Sequence, residues 1–383
     1  MLLKLKYGIV ALVLGVLLCG CSIYSKEGDI PVAENTSKVK LGVSVALTDG
    51  AAFLGMQSRG PLAEAVSDGE KMQTLRIIIV RPDGTVEHNR YYDFHQVPTT
   101  YFATAQFEVV GGETKKVYLF ANENTKFNSG RKVADYDFAA IKVGEQFPTN
   151  DITGQDIYTD TDASLIEVND ALTQMALPLF MSECHSVDVP EKKDKDVELI
   201  IVRAAVKFTF RIINKSNEPL ALNQLTISKL ARYEYLLPNG VVYGTEPSEE
   251  DRTTITYIKS YNVPMTGNNE HYNFKATFAD KTVPAKSATG NGEVVNGEVV
   301  LDPIYLLESN YNDDSSTEGR NYKISLTVGD ETYENGYFNN LTALPRNTHV
   351  VVDVTLNDKL TGLDCVVRVY PYGEYWLYPE FGQ

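Results

Sequence analysis

From Lys38 onward, apolar and polar residues alternate with a period of two. Val39, Leu41, Val43, Val45 and Leu47 share one parity, while Lys38, Lys40, Ser44 and Ala46 take the other. Successive side chains of a strand point to opposite faces, so the pattern predicts a first strand over 38–48 with one buried face. LRIIIVRPDGTVEHNRYYDF (75–94) reads as strand, Pro-Asp-Gly turn and strand, and FATAQFEVVGGETKKVYLFAN (102–122) as a second pair around Gly111-Gly112. Helical spacing is scarce. The two candidate helices are LAEAVSDGEKMQ (62–73) and the stretch from Asp160 to Met175, where Leu165, Val168 and Leu172 recur at three and four.

The charge-rich segment ECHSVDVPEKKDKD (183–196) reads as a domain junction, with the boundary at 190/191. After it, Val206, Phe208, Phe210 and Ile212 alternate with Lys207, Thr209 and Arg211, opening a new β series. Further strands are predicted at 223–230, 253–261, 271–278, 299–307, 321–328 and 347–357, separated by Gly/Asn/Asp-rich turns. The expected fold is therefore all-β with minor helix, as two tandem β-sandwich domains over 38–190 and 191–383. Near the C-terminus, Leu363, Cys365, Val367, Val369, Tyr375, Leu377 and Phe381 keep one parity. At about 3.3 Å per residue this tail, 363–383, would extend roughly 60 Å, more than a sheet strand of about five or six residues needs.

The N-terminus is different in kind. Lys4 and Lys6 precede an apolar core from Tyr7 to Leu18 that is too short for a permanent span. It ends in Leu18-Cys19-Gly20-Cys21, which is similar to a bacterial lipobox and implies diacylglycerol on the Cys21 thiol, then cleavage and palmitate-type acylation of the new amino group. Residues 1–21 are then a lipoprotein signal peptide, and the polar 22–37 is a tether. An ordinary secretory signal with incidental cysteines is the alternative. Only Cys184 and Cys365 remain in the folded part. They lie far apart in sequence, and two buried free thiols are expected over one disulfide.

Composition narrows the function classes. The 383 residues are 43% hydrophobic and 22% charged, a globular composition with enough chain for two cores. A net charge of −16 offers no basic surface to displace counterions from phosphates, so nucleic acid is not an expected partner. Motifs for chemistry are missing. The five histidines, His88, His95, His185, His271 and His349, include no pair at metal-ligand spacing. GGETKKVY (111–118) lacks phosphate-loop spacing, there is no Gly-x-Ser-x-Gly, and adjacent Cys184 and His185 would point to opposite faces of a strand. Aligning Asp160, Asp162 and Ser164 as a calcium loop leaves Leu165 and Ala171 where glycine and glutamate are needed. No enzyme, cofactor or metal site is expected. The 23 tyrosines could stack on sugars, so a monomeric, surface-anchored glycan-binding lipoprotein is the alternative function, although tyrosine is also an ordinary strand residue.

Six short stretches, in order behind the lipobox, carry a family resemblance: TLRIIIVRPDG (74–84), KKVYLFANEN (115–124), LPLFMSE (177–183), LIIVRAAVKFTF (199–210), PIYLLESN (303–310) and LPRNTHVVVDVTL (344–356). Together they resemble the type V pilins, or fimbrillins, of Gram-negative anaerobes. The resemblance implies transthyretin-like sandwiches and a structural subunit of a fimbria (pilus) that supports cell adhesion. It implies export to the outer membrane by the lipoprotein export and acylation machinery, with the chain's first strand as a plug. An Arg-specific protease then cuts behind that strand, and a strand from another fimbrial subunit, a second copy of the chain in a homopolymer or a tip or anchor subunit, replaces it at the cell surface. The matching positions are lipidated Cys21, the removable strand with Val39, Leu41, Val43, Val45 and Leu47, and the Arg59–Gly60 bond. The resemblance does not assign the donor strand; Leu363, Cys365, Val367, Val369, Tyr375, Leu377 and Phe381 are the candidates.

Physical reasoning runs the same way. Removing a central strand leaves unpaired backbone beside an apolar slot, an edge that invites strand addition. Five buried side chains contribute about 1.5–3 kcal/mol each, roughly 8–15 kcal/mol gross before ordering costs. A head-to-tail contact that does not close generates a filament. Ser58-Arg59-Gly60-Pro61 is small and turn-like, which suits protease access. The other reading is an ordinary loop arginine in an uncut lipoprotein.

Overall fold

In the computed structural model, the residues described are 37–47, 67–94, 102–149, 152, 165–167, 173–247, 254–262, 265–266, 271–311, 322–338, 341, 343–356 and 363–371. The first sheet combines β1 (Lys38–Leu47), β2 (Thr74–Val80), β3 (Val86–Asp93), β4 (Phe102–Val110), β5 (Glu113–Ala121), β7 (Met181–Val189) and β8 (Lys195–Arg203). Their order is β3-β2-β5-β7-β8-β1-β4. β7 and β8 pair only at Met181↔Arg203 and Ser182↔Val202, so the sheet turns a corner there. Its far ends approach each other again. His88 Nε2 hydrogen-bonds the Glu108 carbonyl (2.9 Å), Arg90 donates to the Gln106 carbonyl (3.1 Å), and the Val110 N–H donates to Glu87 (2.6 Å). The result is a sandwich with barrel-like closure. Its core sets Leu75, Ile77, Ile79, Val117 and Leu119 against Val39–Val45, Phe107, Val109, Leu199 and Ile201.

Every residue of β2 is buried, which explains its unbroken apolar run Ile77-Ile78-Ile79-Val80. One parity faces the sandwich core. Ile78 and Val80 instead face a second cluster with Phe127, Phe138, Phe147, Leu179 and Phe180, which continues to Leu236, Tyr305 and Leu307 of the C-terminal half.

The second sandwich pairs β9 (Val206–Asn214) in parallel with β24 (Thr348–Leu356), with β25 (Leu363–Pro371) antiparallel on β24. β18 (Gly297–Val300) and β19 (Ile304–Leu306) flank β9. The facing sheet runs β15 (His271–Val283), β10 (Leu220–Ala231), β21 (Lys323–Val328), β22 (Glu331–Tyr337). Phe208, Phe210, Ile212, Leu225, Ile227, Leu326, Val350, Val352 and Val354 fill the space between them. Smaller pairings are β6 (Leu165–Glu167) with β11 (Tyr233–Tyr235), β12 (Asn239–Pro247) with β13 (Thr254–Asn262), and β16 (Ser287–Ala288) with β17 (Val294–Val295). β14 (Met265–Thr266), β20 (Ser309–Tyr311) and β23 (Ala343–Leu344) form a three-stranded ribbon.

The structure corrects three expectations. The chain changes sandwiches at Ala204-Ala205 and not at 190/191, because β8 pairs with β1 in the first sheet. Within the candidate helix 160–175, Leu165–Glu167 is a strand, since pairing with β11 overrides a weak local spacing. Of 62–73, the described part holds a 3-10 turn, Asp68–Glu70, and a bridge residue at Met72 in place of a helix.

Candidate functional site

β1 lies inside its sheet. On one side it runs antiparallel to β4, from Lys38↔Val110 to Ala46↔Phe102. On the other it runs parallel to β8, from Leu41↔Lys195 to Leu47↔Ile201. Two inward rows are apolar across all three strands: Val43 lies between Ala105 and Val197, and Val45 between Ala103 and Leu199, whereas the Leu41 row ends on Lys195 of β8. Leu41 faces Phe107, and Val39 faces Val109. Leu41 and Val45 are 0% exposed, Val43 1% and Val39 6%, while Leu47 is half-buried. Four buried side chains correspond to about 6–12 kcal/mol gross.

Polar contacts pin the start of the strand. The Gly111 N–H donates to the Ser37 carbonyl (2.8 Å), the Ser37 hydroxyl donates to the Glu191 carbonyl, and the Lys40 N–H donates to Asp194 Oδ1 (2.9 Å). On the outward face Lys40 stands opposite Glu108, and Ser44 opposite Glu198. Gly42 lies beneath Asp196, whose Oδ1 would clash with a Cβ added there. The groove around β1 thus has an apolar floor and an acidic outer rim.

The other predicted positions are dispersed. Cys21, Arg59, Gly60, Tyr375, Leu377 and Phe381 lie outside the described residues. Leu363, Cys365, Val367 and Val369 belong to β25, and the first three pack against the second core. Cys184 and Cys365 are free thiols as expected, though each is only partly buried. Burial pushes both up to about 12. His185 Nε2 hydrogen-bonds the Ile200 carbonyl (2.7 Å), so the ring faces β8 and not the neighbouring thiol. Among the described residues, no group of three or more His, Cys, Asp or Glu is arranged to hold a metal ion.

The periodicity does not reveal a buried polar junction between the two sandwiches. Arg346 is 1% exposed and donates to Glu308 Oε1 (2.6 Å) and the Tyr235 carbonyl (2.6 Å), with Glu234 Oε1 at 2.9 Å. Burial, followed by the charge of Glu308, holds the Glu234 carboxyl above its ordinary range despite Arg346. Glu70 Oε1 receives Lys207 Nζ (3.0 Å) and the Tyr305 hydroxyl (3.1 Å), while its Oε2 accepts the Ser67 N–H (2.6 Å). Arg203 bridges the Glu70 carbonyl (2.8 Å) and Asn347 Oδ1 (3.1 Å). Most of these residues sit in the stretches that carry the family resemblance: Arg203, Lys207, Tyr305, Glu308, Arg346 and Asn347. That signal was available, but its physical meaning was not.

No family model matches the chain, and no curated protein does. Among solved structures, a candidate cell adhesion protein from Parabacteroides distasonis aligns with a TM-score of 0.50 at 12% identity, covering 88% of this chain and 97% of that one. The two share a fold. Also similar are a fimbrial assembly protein from P. distasonis (TM-score 0.43, 11% identity, 88% and 100% covered) and the C-terminally truncated tip fimbrial protein Mfa3 from Porphyromonas gingivalis (0.42, 10%, 87% and 99%).

Proposed function

We propose that the protein is a fimbrial subunit made as an outer-membrane lipoprotein precursor, matured by Arg-specific cleavage and assembled by strand exchange. The observation that carries this reading is the position of β1. The first described strand fills an inner slot of its sheet, paired on both edges by β8 and β4, and the chain runs from it to β2 through the segment that contains Arg59. Departure of such a strand would free two facing backbone edges above an apolar floor, a receptor for another extended segment. In this reading Cys21 carries the lipid during export, the Arg59–Gly60 bond is cut, and a subunit strand takes the place of β1. The tail Leu363–Phe381 is the candidate donor toward a further subunit.

The test compares wild type with Arg59→Ala in the secreting cell and with a purified Arg-specific protease. Sequencing of the surface-exposed product should find Gly60 as its first residue, and Arg59→Ala should accumulate as the uncut precursor. A mature wild-type protein that begins at acylated Cys21 would overturn the proposal.

A further inference from the structure

We infer that the slot vacated by β1 takes a strand from a different protein and rejects this chain's own C-terminal tail, so the chain does not polymerise with itself through this slot. The inference rests on the strand-exchange reading above, and the evidence is a comparison of the slot with the tail.

The slot fits a strand of defined chemistry. It holds the ten residues of β1, paired with β4 over Lys38–Ala46 and with β8 over Leu41–Leu47, so both edges are engaged over Leu41–Ala46. A proline in the middle lacks the N–H that one neighbour requires. Inward positions take Val39, Leu41, Val43 and Val45 in unbroken alternation. Outward positions take Lys38, Lys40, Gly42, Ser44 and Ala46, against a rim containing Glu108, Asp194, Asp196 and Glu198. Two cations and three small residues thus face an acidic border. Any side chain in place of Gly42 requires Asp196 to turn aside.

The tail fails each requirement. Its proline-free run Leu363–Tyr370 is already in use: it forms β25 along β24, seats Leu363, Cys365 and Val367 on the second core, and pairs Arg368 with Asp353. Beyond Pro371, the next proline-free run is Tyr372–Tyr378, shorter than β1, and Pro379 ends it. With Tyr375, Leu377 and Phe381 inward, Gly373 and Pro379 also fall inward, while Glu374, Trp376, Tyr378 and Glu380 face the acidic rim. With the other parity, both glutamates would enter the apolar floor. Like charges placed opposite one another in a sheet are unfavourable, as is an unpaired backbone acceptor in the slot. The fitting occupant alternates Val, Ile or Leu with small or basic residues over about ten positions without proline.

The experiment uses the full chain cut between Arg59 and Gly60, with the released segment displaced in moderate urea and dialysed away. Light scattering follows assembly, and fluorescence anisotropy follows two labelled peptides, residues 37–48 and residues 371–383. The cut protein should remain monomeric and rebind peptide 37–48, while peptide 371–383 should bind about tenfold to 100-fold more weakly. Equal binding of the two peptides would overturn the inference. So would polymer formed by the cut protein alone and lost when the chain is truncated after Pro371. Failure of peptide 37–48 to rebind would remove the exchangeable slot itself, and the proposed function with it.

Discussion

Individual residues determine how the two sandwiches are held together. Arg346 lies between Glu234 and Glu308 with almost no solvent, so replacing it leaves two buried acidic side chains without their cation. Arg346→Met should destabilise the protein by about 3–5 kcal/mol, read as a lowered urea midpoint. Adding Glu308→Gln should recover part of the loss, because the acid that contacts Arg346 most closely is then neutral. A pH effect arises nearby at His349, which hydrogen-bonds the Thr209 hydroxyl through Nε2 (2.9 Å). Burial, then the charge of Lys207, lowers His349 from 6.5 to about 4, with Glu70 opposing. The unfolded chain therefore binds this proton first as the pH falls. The stability associated with neutral His349 is present above pH 6.5 and is lost between 6.5 and about 4, by up to about 3 kcal/mol. His349→Gln should flatten that part of the pH profile relative to wild type in urea titrations at pH 7, 5.5 and 4.

At the level of elements, the predicted register of β1 gives a direct contrast. Leu41→Ala, on the inward parity beside Phe107, should cost about 2–5 kcal/mol in the uncut protein. Ser44→Ala, on the outward parity, should stay within about 0.5 kcal/mol. Similar losses at both positions would contradict the assigned face. Elements with one wet face and one dry face were legible in the sequence. The alternation in β1, the Pro-Asp-Gly turn between β2 and β3, and the Gly111-Gly112 turn between β4 and β5 each encode their own geometry. What failed depended on distant partners. β8 and β9 follow each other through Ala204-Ala205 with similar apolar character, and nothing local says that β8 belongs beside β1. Leu165–Glu167 became a strand because β11 was there to pair with it. The junction was invisible for the same reason: Glu70, Glu234 and Arg346 acquire their roles only once chain segments far apart in sequence meet.

For the whole molecule, the question is how far the loss of one strand would spread. After Arg59 in sequence and before β2, Glu70 is fixed by the Ser67 N–H and by Lys207 and Tyr305 of the second half. This anchor lies between the proposed cut and β2, so departure of β1 would not unthread the strands that follow. The second sandwich has its own core, and β9 is held by β24 along its whole length, independent of β1. Loss of β1 should therefore remain local. Hydrogen exchange on the cut, strand-depleted protein should accelerate at β4 and β8 amides facing the slot, within 103–109 and 197–201, because their partners have gone. Amides of β9 and β24 should keep the protection they have in the uncut protein. A comparable loss of protection in β9 and β24 would mean that the buried junction transmits the removal of β1 across the molecule. Restored protection at β4 and β8 on adding peptide 37–48 would tie the effect to the empty slot and not to the cut peptide bond.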